Sequence, residues 1–438
     1  MTGPKVADGS SWRGRRARAC QDAARAVPRP LRIQLWSIYY DPVPTGIGPI
    51  STVWARAMRD RGHDVHVVTA HPHYPAPDWG TSRRPYREDR DGIPVLRLPL
   101  AVGRATAARR LLQELSFAAS QTMAIPALGT PDVVVAVSPS FPALAPAMVN
   151  AALRRRPWVL WLQDILPDGA VSTGLLEPGR ALDAARRLEL VAYRSADRVV
   201  VISDAFAQNL RAKGVPDDKI ARIYNPSTRE ASPSASAERA ADGIPRVLSM
   251  GNIGLSQDLP EYVRRFQEST RLEGKGARLV IAGHGVAAEE VRASIRSERV
   301  EMLGLVSDER LEEELRAATL AVVTQRPGLA EFNLPSKLMN FMAYGIPVVA
   351  AVEPRSEVAR LVESSGAGWV TDSARPERFP EQIAQALADR GERQRRAAAA
   401  AAYAKRTFSQ EGVAKQFEEV LADVLAGGRH RGAPRALP

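Results

Sequence analysis

Residues 331–350 read EFNLPSKLMNFMAYGIPVVA, and this stretch carries the clearest fold signal in the chain. It runs from a polar loop into a short helix and then into an apolar strand. Pro335 can occupy the first turn of a helix, where its missing N–H costs nothing. Gly345 is a typical helix stop, and Ile346–Ala350 is apolar enough to form a buried strand. The stretch therefore predicts one helix-and-strand unit of an α/β domain.

The start of this helix is also a candidate anion site. Ser336 and Lys337 lie at the helix N-terminus, where free backbone N–H groups and the helix dipole favour negative charge. Glu331 precedes them in the loop, and Asn340 follows one turn later. We therefore expect these four side chains to lie near one point.

The length of 438 residues suggests two domains of ordinary size. The net charge of +11 would suit a nucleic-acid partner, but much of it lies at the termini. Residues 1–30 hold seven basic and two acidic side chains, and residues 427–438 hold three basic and no acidic ones. Such tails are usually solvated, and no compact basic stripe is evident between them. We therefore predict no nucleic-acid partner.

Cysteine content and hydropathy bound the compartment. Cys20 is the only cysteine, which excludes a disulfide within the chain and is typical of a reducing cytoplasm. The basic leader has no apolar core, so it does not resemble a secretory signal. The most apolar candidate for a membrane span, residues 133–149, is broken by Pro139, Pro142 and Pro146. These features predict a cytoplasmic protein, with peripheral association at the inner face of the cell membrane as an option.

Apolar runs of strand length alternate with helical patterns along most of the chain, which predicts parallel sheets covered by helices. The predicted strands are Leu31–Trp36, Val65–Thr69, Val95–Leu98, Val133–Val137, Trp158–Leu162, Arg198–Ile202, Arg246–Met250, Arg278–Ala282, Val300–Leu303, Leu320–Thr324, Pro347–Ala351 and Gly368–Val370. A Ser-, Ala- and Pro-rich stretch interrupts this alternation once and indicates an interdomain linker.

The fold class predicted from this pattern is α/β, with two Rossmann-like parallel-sheet domains. The predicted units are a disordered basic leader (1–30), an N-terminal domain (31–226), the linker (227–242), a C-terminal domain (243–407), a helix that crosses back to the N-terminal domain (408–426) and a tail (427–438).

Glycine-containing loops follow two of the predicted strands, where main-chain N–H groups can approach a phosphate closely. These loops hold Gly46 and Gly48, and Gly251, Asn252 and Gly254. An ordinary turn remains open as an alternative for both of them. A dinucleotide site is a poorer interpretation of the first loop, because the third glycine and the acidic residue for a ribose are missing.

Two carboxylates follow the predicted strand Trp158–Leu162. Asp164 and Asp168 lie at the sheet edge where ligands bind in open α/β sheets, although either could simply cap a helix. The six histidines show no metal-ligand pattern with a carboxylate. We therefore predict a site with no metal and no cofactor.

A possible membrane contact lies in residues 109–117, where Leu112, Leu115 and Phe117 are flanked by arginines. Such a segment could dock on an anionic membrane surface. A core-facing surface helix with a solvated basic side remains the alternative.

Residues 331–350 resemble the donor-binding loop of family 4 glycosyltransferases of the GT-B fold. The resemblance is specific at Pro-Ser-Lys (335–337) and at Gly-Ile-Pro-Val-Val-Ala (345–350). It departs at Asn340, which stands where the family usually has a second Glu. The spacing from Glu331 to Asn340 is also one residue longer than in the commonest form.

The N-terminal half resembles colanic-acid-type members of the same family. The similar stretches are Tyr39–Gly48, Gly62–Val65, His73–Pro75, Trp161–Asp168, Val201–Asp204, Gly214–Pro216 and Tyr224–Pro226. Together the resemblance covers about residues 31–425 and implies the GT-B fold, in which two Rossmann-like domains face each other across a cleft.

The resemblance also implies a reaction. A hexosyl or deoxyhexosyl group would move from a nucleoside diphosphate sugar to a hydroxyl of a saccharide acceptor, often a lipid-linked one, with retention at the anomeric carbon. The implied catalytic residues are Glu331, Lys337 and Asp164. The implied donor-binding residues are Gly46, Gly48, Gly251, Asn252, Gly254, Gly283, Leu303, Gly304, Val306, Pro335, Ser336 and Asn340.

Three alternatives stay open at this point. The protein could be an inverting or epimerising GT-B enzyme, or a non-catalytic GT-B subunit that assists a partner transferase. Asn340 is the main reason for considering the non-catalytic subunit. An NAD oxidoreductase is the poorest alternative, for the reasons given for the first glycine loop.

Overall fold

The computed structural model describes residues 29–44, 46–73, 84–103, 107–138, 140–165, 179–229, 243–328 and 335–428. Of the predicted units, the leader up to residue 28, the linker from residue 230 and the tail from residue 429 lie outside these ranges. The predicted site residue Glu331 and the predicted carboxylate Asp168 also lie outside them.

The first domain is built on an eight-stranded sheet with the order β3-β4-β2-β1-β5-β6-β7-β8. Its strands are β1 (Arg32–Trp36), β2 (Asp64–Ala70), β3 (Tyr86–Arg90), β4 (Ile93–Leu98), β5 (Val133–Val137), β6 (Trp158–Leu162), β7 (Arg198–Val201) and β8 (Ile220–Arg222). All pairs are parallel except β3 with β4, which is antiparallel. The sequence analysis missed β3 and β8.

Burial explains why the central strands were predictable. Every residue of β5 and β6 is buried. A parallel strand with helices on both faces is apolar throughout, so it produces a continuous apolar run in the sequence. Strand β3 reads YREDR and is mostly exposed at the sheet edge, so it shows no such run.

The helices of the first domain are α1 (Ile47–Asp60), α2 (Ala107–Ala124), α3 (Phe141–Leu153), α4 (Arg180–Ser195) and α5 (Asp204–Ala212). They connect successive strands of the sheet. Helix α2 packs against α3, and α3 packs against α4.

The second domain has a six-stranded, wholly parallel sheet with the order β11-β10-β9-β12-β13-β14. Its strands are β9 (Arg246–Met250), β10 (Arg278–Ala282), β11 (Val300–Gly304), β12 (Leu320–Thr324), β13 (Val348–Val352) and β14 (Gly368–Asp372). Its helices are α6 (Leu259–Glu268), α7 (Thr270–Glu273), α8 (Ala288–Ser294), α9 (Asp308–Ala317), α10 (Ser336–Ala343), α11 (Glu357–Ser365), α12 (Arg378–Ala388) and α13 (Arg390–Thr407). The predicted class of two parallel-sheet α/β domains is confirmed.

The described part of the loop, helix and strand stretch, residues 335–350, folds nearly as expected. Pro335 precedes α10 as its N-cap residue, one position earlier than the predicted first turn. Gly345 follows the helix with a φ of 57°, as expected of a helix stop. The strand begins at Val348 rather than Ile346, a shift within the usual uncertainty of element ends.

The last helix, α14 (Gln410–Gly428), packs on the first domain, against α1. The Phe417 ring lies 5.1 Å from the Trp54 ring and 4.9 Å from the Trp161 ring, and all three are buried. Glu418 on the same helix accepts hydrogen bonds from Arg61 (2.5 Å) and His63 (2.9 Å). The chain therefore crosses between the domains twice.

The two domains meet at the carboxyl ends of their sheets. Glu357, at the start of α11 after β13, accepts hydrogen bonds from the Asp204 N–H (3.3 Å) and the Tyr224 hydroxyl (3.2 Å). Asp204 begins α5 after β7, and Tyr224 follows β8. Because each partner lies beyond the carboxyl end of a strand, the carboxyl edges of the two sheets face each other. Ligands bind at this edge in open α/β sheets.

Candidate active site

The second sheet reverses its strand order at β9. Strands β10 and β11 lie on one side of β9, and β12, β13 and β14 lie on the other. The connections that leave β9 and β12 therefore diverge and form a crevice at the carboxyl edge, which is the general position of ligand sites in such sheets. Both connections contain residues predicted for the donor site.

The glycine loops of the second domain are interlocked through their backbones. The Ile253 N–H donates to the His284 carbonyl (3.0 Å), and the Gly283 N–H donates to the Gly304 carbonyl (2.8 Å). A Cβ atom on Gly283 would lie 1.9 Å from the Gly251 carbonyl oxygen, so only glycine fits there. The loops after β9, β10 and β11 thus form one continuous main-chain surface.

The start of α10 joins this surface through a lysine. Lys337 is buried, and its Nζ donates to the Gln257 side-chain oxygen at 3.0 Å. Gln257 lies just beyond Gly254 in the loop after β9, and its Nε2 donates to the Asn252 carbonyl (2.5 Å). The structure therefore brings the predicted Pro-Ser-Lys helix start and the predicted Gly-Asn-Ile-Gly loop together. The sequence analysis did not identify Gln257, the residue that links them.

A second cation lies beside the same loop. The Arg326 N–H, just after β12, donates to the Ser256 carbonyl (2.7 Å). Its guanidinium is half exposed and lies 3.9 Å from the Asp258 carboxylate. An arginine held loosely in this way can turn toward an anion in the crevice.

The segment after β11 forms the outer part of this main-chain surface. Leu303 and Val306 pack against the second-domain core, and Gly304 has a φ of 70°. Leu305 between them is 85% exposed.

Asn340 faces the junction between the domains. It is buried, and its side-chain oxygen accepts a hydrogen bond from the Ser227 hydroxyl (2.9 Å). Its Nδ2 donates to the Thr228 hydroxyl (3.4 Å). Ser227 and Thr228 belong to the first crossing between domains, so Asn340 ties α10 to that crossing. The expected binding of the donor by Asn340 stays a prediction.

The first glycine loop lies on the first-domain side of the cleft, which we call the opposite wall. At one of its two glycines, a neighbouring residue of the same chain occupies the space where a Cβ atom would lie. Gly48 lies inside α1, where a Cβ atom would come within 2.6 Å of the Val43 carbonyl oxygen. Gly46 precedes α1 with a φ of 64° and has no atom within 4 Å of a Cβ position. Among the described residues, the Cβ position of Gly46 therefore borders open space and that of Gly48 does not. The expected approach of a ligand to these two glycines stays a prediction.

Asp164 lies on the same wall, beyond the carboxyl end of β6. Its N–H is 3.4 Å from the Ser138 hydroxyl, which follows the neighbouring strand β5. Burial raises the pKa of Asp164, and a hydrogen bond from the Ile165 backbone offsets only part of this effect. A carboxyl group with a raised pKa in a cleft is a frequent mark of a functional residue.

A cluster of buried polar side chains borders the cleft beyond β1 and β2. The His73 and Tyr39 rings stack with their centroids 5.1 Å apart. The His73 Nδ1 lies 2.8 Å from the His71 carbonyl, and its Nε2 lies 3.4 Å from the Gln113 Nε2 of α2. Sequence reasoning found no metal-ligand pattern among the histidines and assigned neither His71 nor His73 a role of its own. Their grouping with Gln113 depends on tertiary contacts that no local pattern indicates.

A cavity of about 120 Å³ lies at the opposite edge of the first sheet, near the amino ends of β1 and β2. Its polar lining is largely satisfied internally, since Arg32 pairs with Asp64 (2.7 Å) and the Gln34 amide donates to the Gly129 carbonyl (2.7 Å). It contains none of the predicted site residues, so the carboxyl-edge crevice remains the better candidate.

Within the described ranges, no helix is long and apolar enough to cross a bilayer, and no three His, Cys, Asp or Glu side chains are grouped to hold a metal ion.

Comparison with protein families gives one match for each domain. Residues 45–226 match the Glycosyl transferase 4-like domain, and residues 244–389 match Glycosyl transferases group 1. Among curated proteins, WcaI of Escherichia coli K12, named as a colanic acid biosynthesis glycosyl transferase, is 29% identical over 407 residues. That alignment covers 88% of this chain and 98% of WcaI. WbjE of Pseudomonas aeruginosa, named as a glycosyltransferase, is 27% identical over 48% of this chain and 55% of its own.

Solved structures show the same fold. HepE of Anabaena, determined with UDP and glucose, superposes with a TM-score of 0.64 at 19% identity, over 90% of this chain and 99% of its own. A sucrose-phosphate synthase of Thermosynechococcus elongatus superposes with a TM-score of 0.67 at 17% identity, over 90% and 99% respectively. The two family matches span most of the chain and agree with its two facing sheets. The chain is a family 4 glycosyltransferase with the GT-B fold.

Proposed function

We propose that the protein moves a hexosyl or deoxyhexosyl group from a nucleoside diphosphate sugar to a hydroxyl of a saccharide acceptor, with retention at the anomeric carbon. The observation that carries this proposal is the junction of Lys337 with the glycine loop through Gln257, 3.0 Å from the Nζ. A cation, a helix N-terminus and a main-chain surface that meet at one crevice suit a diphosphate.

The same groups account for the chemistry. The leaving diphosphate gains negative charge in the transition state, so donors already fixed in place lower the barrier. In this proposal Lys337, Ser336 and the α10 N–H groups bind the diphosphate, together with the backbone of Gly251–Gly254. Glu331 holds a hydroxyl of the donor sugar. A phosphate oxygen of the donor accepts the acceptor proton, so no side chain is assigned as the base.

We also propose that the diphosphate is bound without a metal ion or other cofactor. Lys337 and Arg326 supply two positive charges at the crevice, and the start of α10 adds the positive end of a helix dipole. Adding EDTA during turnover should leave the rate unchanged. A loss of activity that magnesium restores would contradict this part of the proposal.

We further propose that the acceptor is a saccharide of cell-surface polysaccharide or glycolipid synthesis, linked to a lipid at the inner face of the membrane. A role in polysaccharide synthesis is supported by the similarity to WcaI, whose name refers to colanic acid biosynthesis. The polar cluster of Tyr39, His73 and Gln113 on the opposite wall offers hydrogen-bonding groups for sugar hydroxyls.

A thermal-shift panel on the full chain with UDP, GDP, dTDP, ADP and NAD tests the donor. The melting temperature should rise with one nucleoside diphosphate, because a ligand that binds only the folded state stabilises it. Lys337→Ala should lose most of this rise, while Lys275→Ala, an exposed lysine of the same domain, should keep it. A rise with NAD alone, or an equal rise in both variants, would contradict the proposal. Proton NMR of the product then reports retention or inversion.

A non-catalytic subunit is the second candidate, and one observation favours it. Asn340 stands where the family usually has a Glu, and its amide is engaged with Ser227 and Thr228. If this substitution has ended catalysis, the protein will bind a nucleoside diphosphate but will neither transfer nor hydrolyse the matching sugar donor. Asn340→Glu should then restore measurable donor hydrolysis. Turnover by the natural chain would exclude this candidate.

A further inference from the structure

Exposed large apolar side chains are concentrated on three neighbouring helices. Among the described residues, thirteen large apolar side chains are exposed, and eight of them lie on α2, α3 and α4. These eight are Leu111, Leu112, Leu115, Met123, Val149, Leu153, Leu188 and Val191. Three of the leucines on α2 are each more than half exposed, at 52%, 57% and 51%. Apolar side chains scattered singly are ordinary on a protein surface, but such a concentration marks an interaction site.

The three helices form one layer of the first domain. Connections between parallel strands are right-handed, and β4, β5, β6 and β7 follow one another in a single direction across the sheet. Their helices α2, α3 and α4 therefore cover the same face of the sheet. The connection from β1 to β2 moves across the sheet in the opposite direction, so its helix α1 lies on the other face, where α14 packs against it. We call the outer surface of this layer the α2–α4 face.

The α2–α4 face is also strongly basic. Exposed arginines lie at the start of α2, just after α3 and on α4; they are Arg109, Arg110, Arg155, Arg156, Arg186, Arg187 and Arg194. Of the described acidic residues on these helices, only Asp183 is exposed. Glu114 is partly buried and accepts a hydrogen bond from Ser140, and Glu189 is fully buried against Lys213. The exposed charge of this face is therefore nearly all positive.

We propose that the α2–α4 face docks on an anionic lipid bilayer. Apolar side chains among arginines suit the headgroup region, where leucines enter the acyl boundary and guanidinium groups meet lipid phosphates. A second protein is a poorer fit, because a stable protein interface is depleted of charge at its centre. On this face Arg109 and Arg110 directly precede Leu111 and Leu112, and Arg187 directly precedes Leu188, so charged and apolar side chains are interspersed along the helices.

One end of this face adjoins the cleft. Gln113, on the first turns of α2, lies 3.4 Å from His73, and Glu114 accepts a hydrogen bond from Ser140 at 3.2 Å. His73 and Ser140 follow the carboxyl ends of β2 and β5. Leu111, Leu112 and Leu115 therefore lie beside the acceptor wall. A lipid-linked acceptor can reach the cleft from the membrane plane along this end; only this consequence rests on the proposed function.

Flotation of the full chain with lipid vesicles tests the docking. One set contains phosphatidylcholine alone, and the other also contains phosphatidylglycerol. The natural chain should float with the anionic vesicles only. Leu111→Gln/Leu112→Gln/Leu115→Gln should remove most of the flotation, since glutamine keeps helix propensity and removes the apolar contact. Arg186→Glu/Arg187→Glu should lower the bound-to-free ratio by about tenfold or more, because each arginine near the membrane surface adds to the attraction for anionic lipids.

A matched control separates this face from the general charge of the protein. Arg271→Glu/Arg278→Glu makes the same change of charge at exposed positions on the second domain. It should float like the natural chain. Circular dichroism and the nucleotide-induced thermal shift establish that each variant is folded, and they report on the donor site independently of the membrane.

Three results would overturn the docking proposal. The first is a natural chain that remains in the soluble fraction with anionic vesicles. The second is a control that loses as much flotation as the α4 variant, which would indicate unspecific attraction. The third is a dimer, detected by light scattering, that the leucine variant dissociates, which would make this face an interface between two copies. None of these results bears on donor binding, so the proposed function can stand or fall separately.

Discussion

The two walls of the cleft differ in the groups that they present to a ligand. The second-domain wall is made largely of backbone, with Gly251, Gly283 and Gly304 joined by main-chain contacts and by the start of α10. The first-domain wall is made of side chains from separate elements, such as Asp164, His73 and Gln113. A backbone wall suits a diphosphate, whose oxygens need N–H groups, whereas a side-chain wall can be altered to suit different acceptors. The predictions below test this division.

The largest expected effect follows from the backbone wall. Gly283→Ala places a methyl group 1.9 Å from the Gly251 carbonyl oxygen, so the interlocked loops must separate. We expect loss of the nucleotide-induced thermal shift and a fall in the free energy of unfolding of about 1–3 kcal/mol. Calorimetry with and without the nucleotide measures both quantities.

Gly274→Ala is the matched control for this change. Gly274 follows α7, outside the candidate site, with a φ of −60°, and its new methyl group would make an ordinary contact of 3.5 Å with the Thr270 carbonyl oxygen. We expect little change in stability or in nucleotide binding. If Gly283→Ala still binds the nucleotide as tightly as Gly274→Ala, the diphosphate does not lie on this main-chain surface.

The next effect concerns Lys337, the cation that is hydrogen-bonded to Gln257 of that wall. Lys337→Ala removes the positive charge beside the glycine loop, so the turnover number should fall by about tenfold or more with the fold intact. Gln257→Ala keeps the charge but removes its 3.0 Å hydrogen-bond partner, so we expect a smaller loss. Steady-state kinetics on the donor compares the two variants. Near-normal turnover of Lys337→Ala would show that Arg326 or another group supplies the charge.

The same division explains what the sequence alone could predict. Strands β5, β6, β9, β10 and β12 were predicted with their observed bounds, because buried parallel strands are continuous apolar runs. The charged edge strand β3 gains its structure only by pairing with β4, so it was missed. An element can be predicted from sequence when its environment restricts its own residue types, as burial on both faces does for a central strand.

The candidate site follows the same rule. Glycines at strand ends and a Pro-Ser-Lys helix start are local signals, so the backbone wall could be predicted. Gln257 was missed because its role depends on Lys337, eighty positions later in the chain. Donor binding by Asn340 stays a prediction, and its contacts with Ser227 and Thr228, more than a hundred positions earlier, could not be read from local sequence. The expected approach of a ligand to Gly48 stays a prediction; the Val43 carbonyl near its Cβ position is a contact that the local sequence does not reveal.

A smaller effect is expected on the back of the first domain, away from both walls. Burial alone would raise the pKa of Glu418, but hydrogen bonds from Arg61 and His63 outweigh it and lower the pKa below 4.5. A lowered pKa stabilises the fold above the unfolded pKa, and this contribution is lost as the pH falls through the folded value. Glu418→Gln should lower the free energy of unfolding at neutral pH by about 1 kcal/mol. Urea unfolding at several pH values should show the difference shrinking in acid; a constant difference would contradict this account.

Replacing Asp164 on the side-chain wall should give the smallest change in stability. Unlike Glu418→Gln, it should raise the free energy of unfolding at neutral pH. The pKa of Asp164 is raised by burial, so the native state binds the proton more tightly than the unfolded chain. Its stabilising contribution is therefore fully present below the unfolded pKa of about 3.8 and is lost as the pH rises through the folded value. Asp164→Asn should thus be more stable than the natural chain at neutral pH, and the difference should vanish in strong acid.

The same variant separates a structural from a functional carboxylate. A group kept for stability alone should leave turnover unchanged when it is replaced, whereas a carboxylate retained at a cost in stability is typical of a working site. We therefore expect Asp164→Asn to melt at a higher temperature and to turn over more slowly, with unchanged binding of the nucleotide. Loss of nucleotide binding would move Asp164 to the donor side of the cleft. A gain in stability with full activity would show that the first-domain wall acts on the acceptor through other side chains, with His73 and Gln113 the next to test.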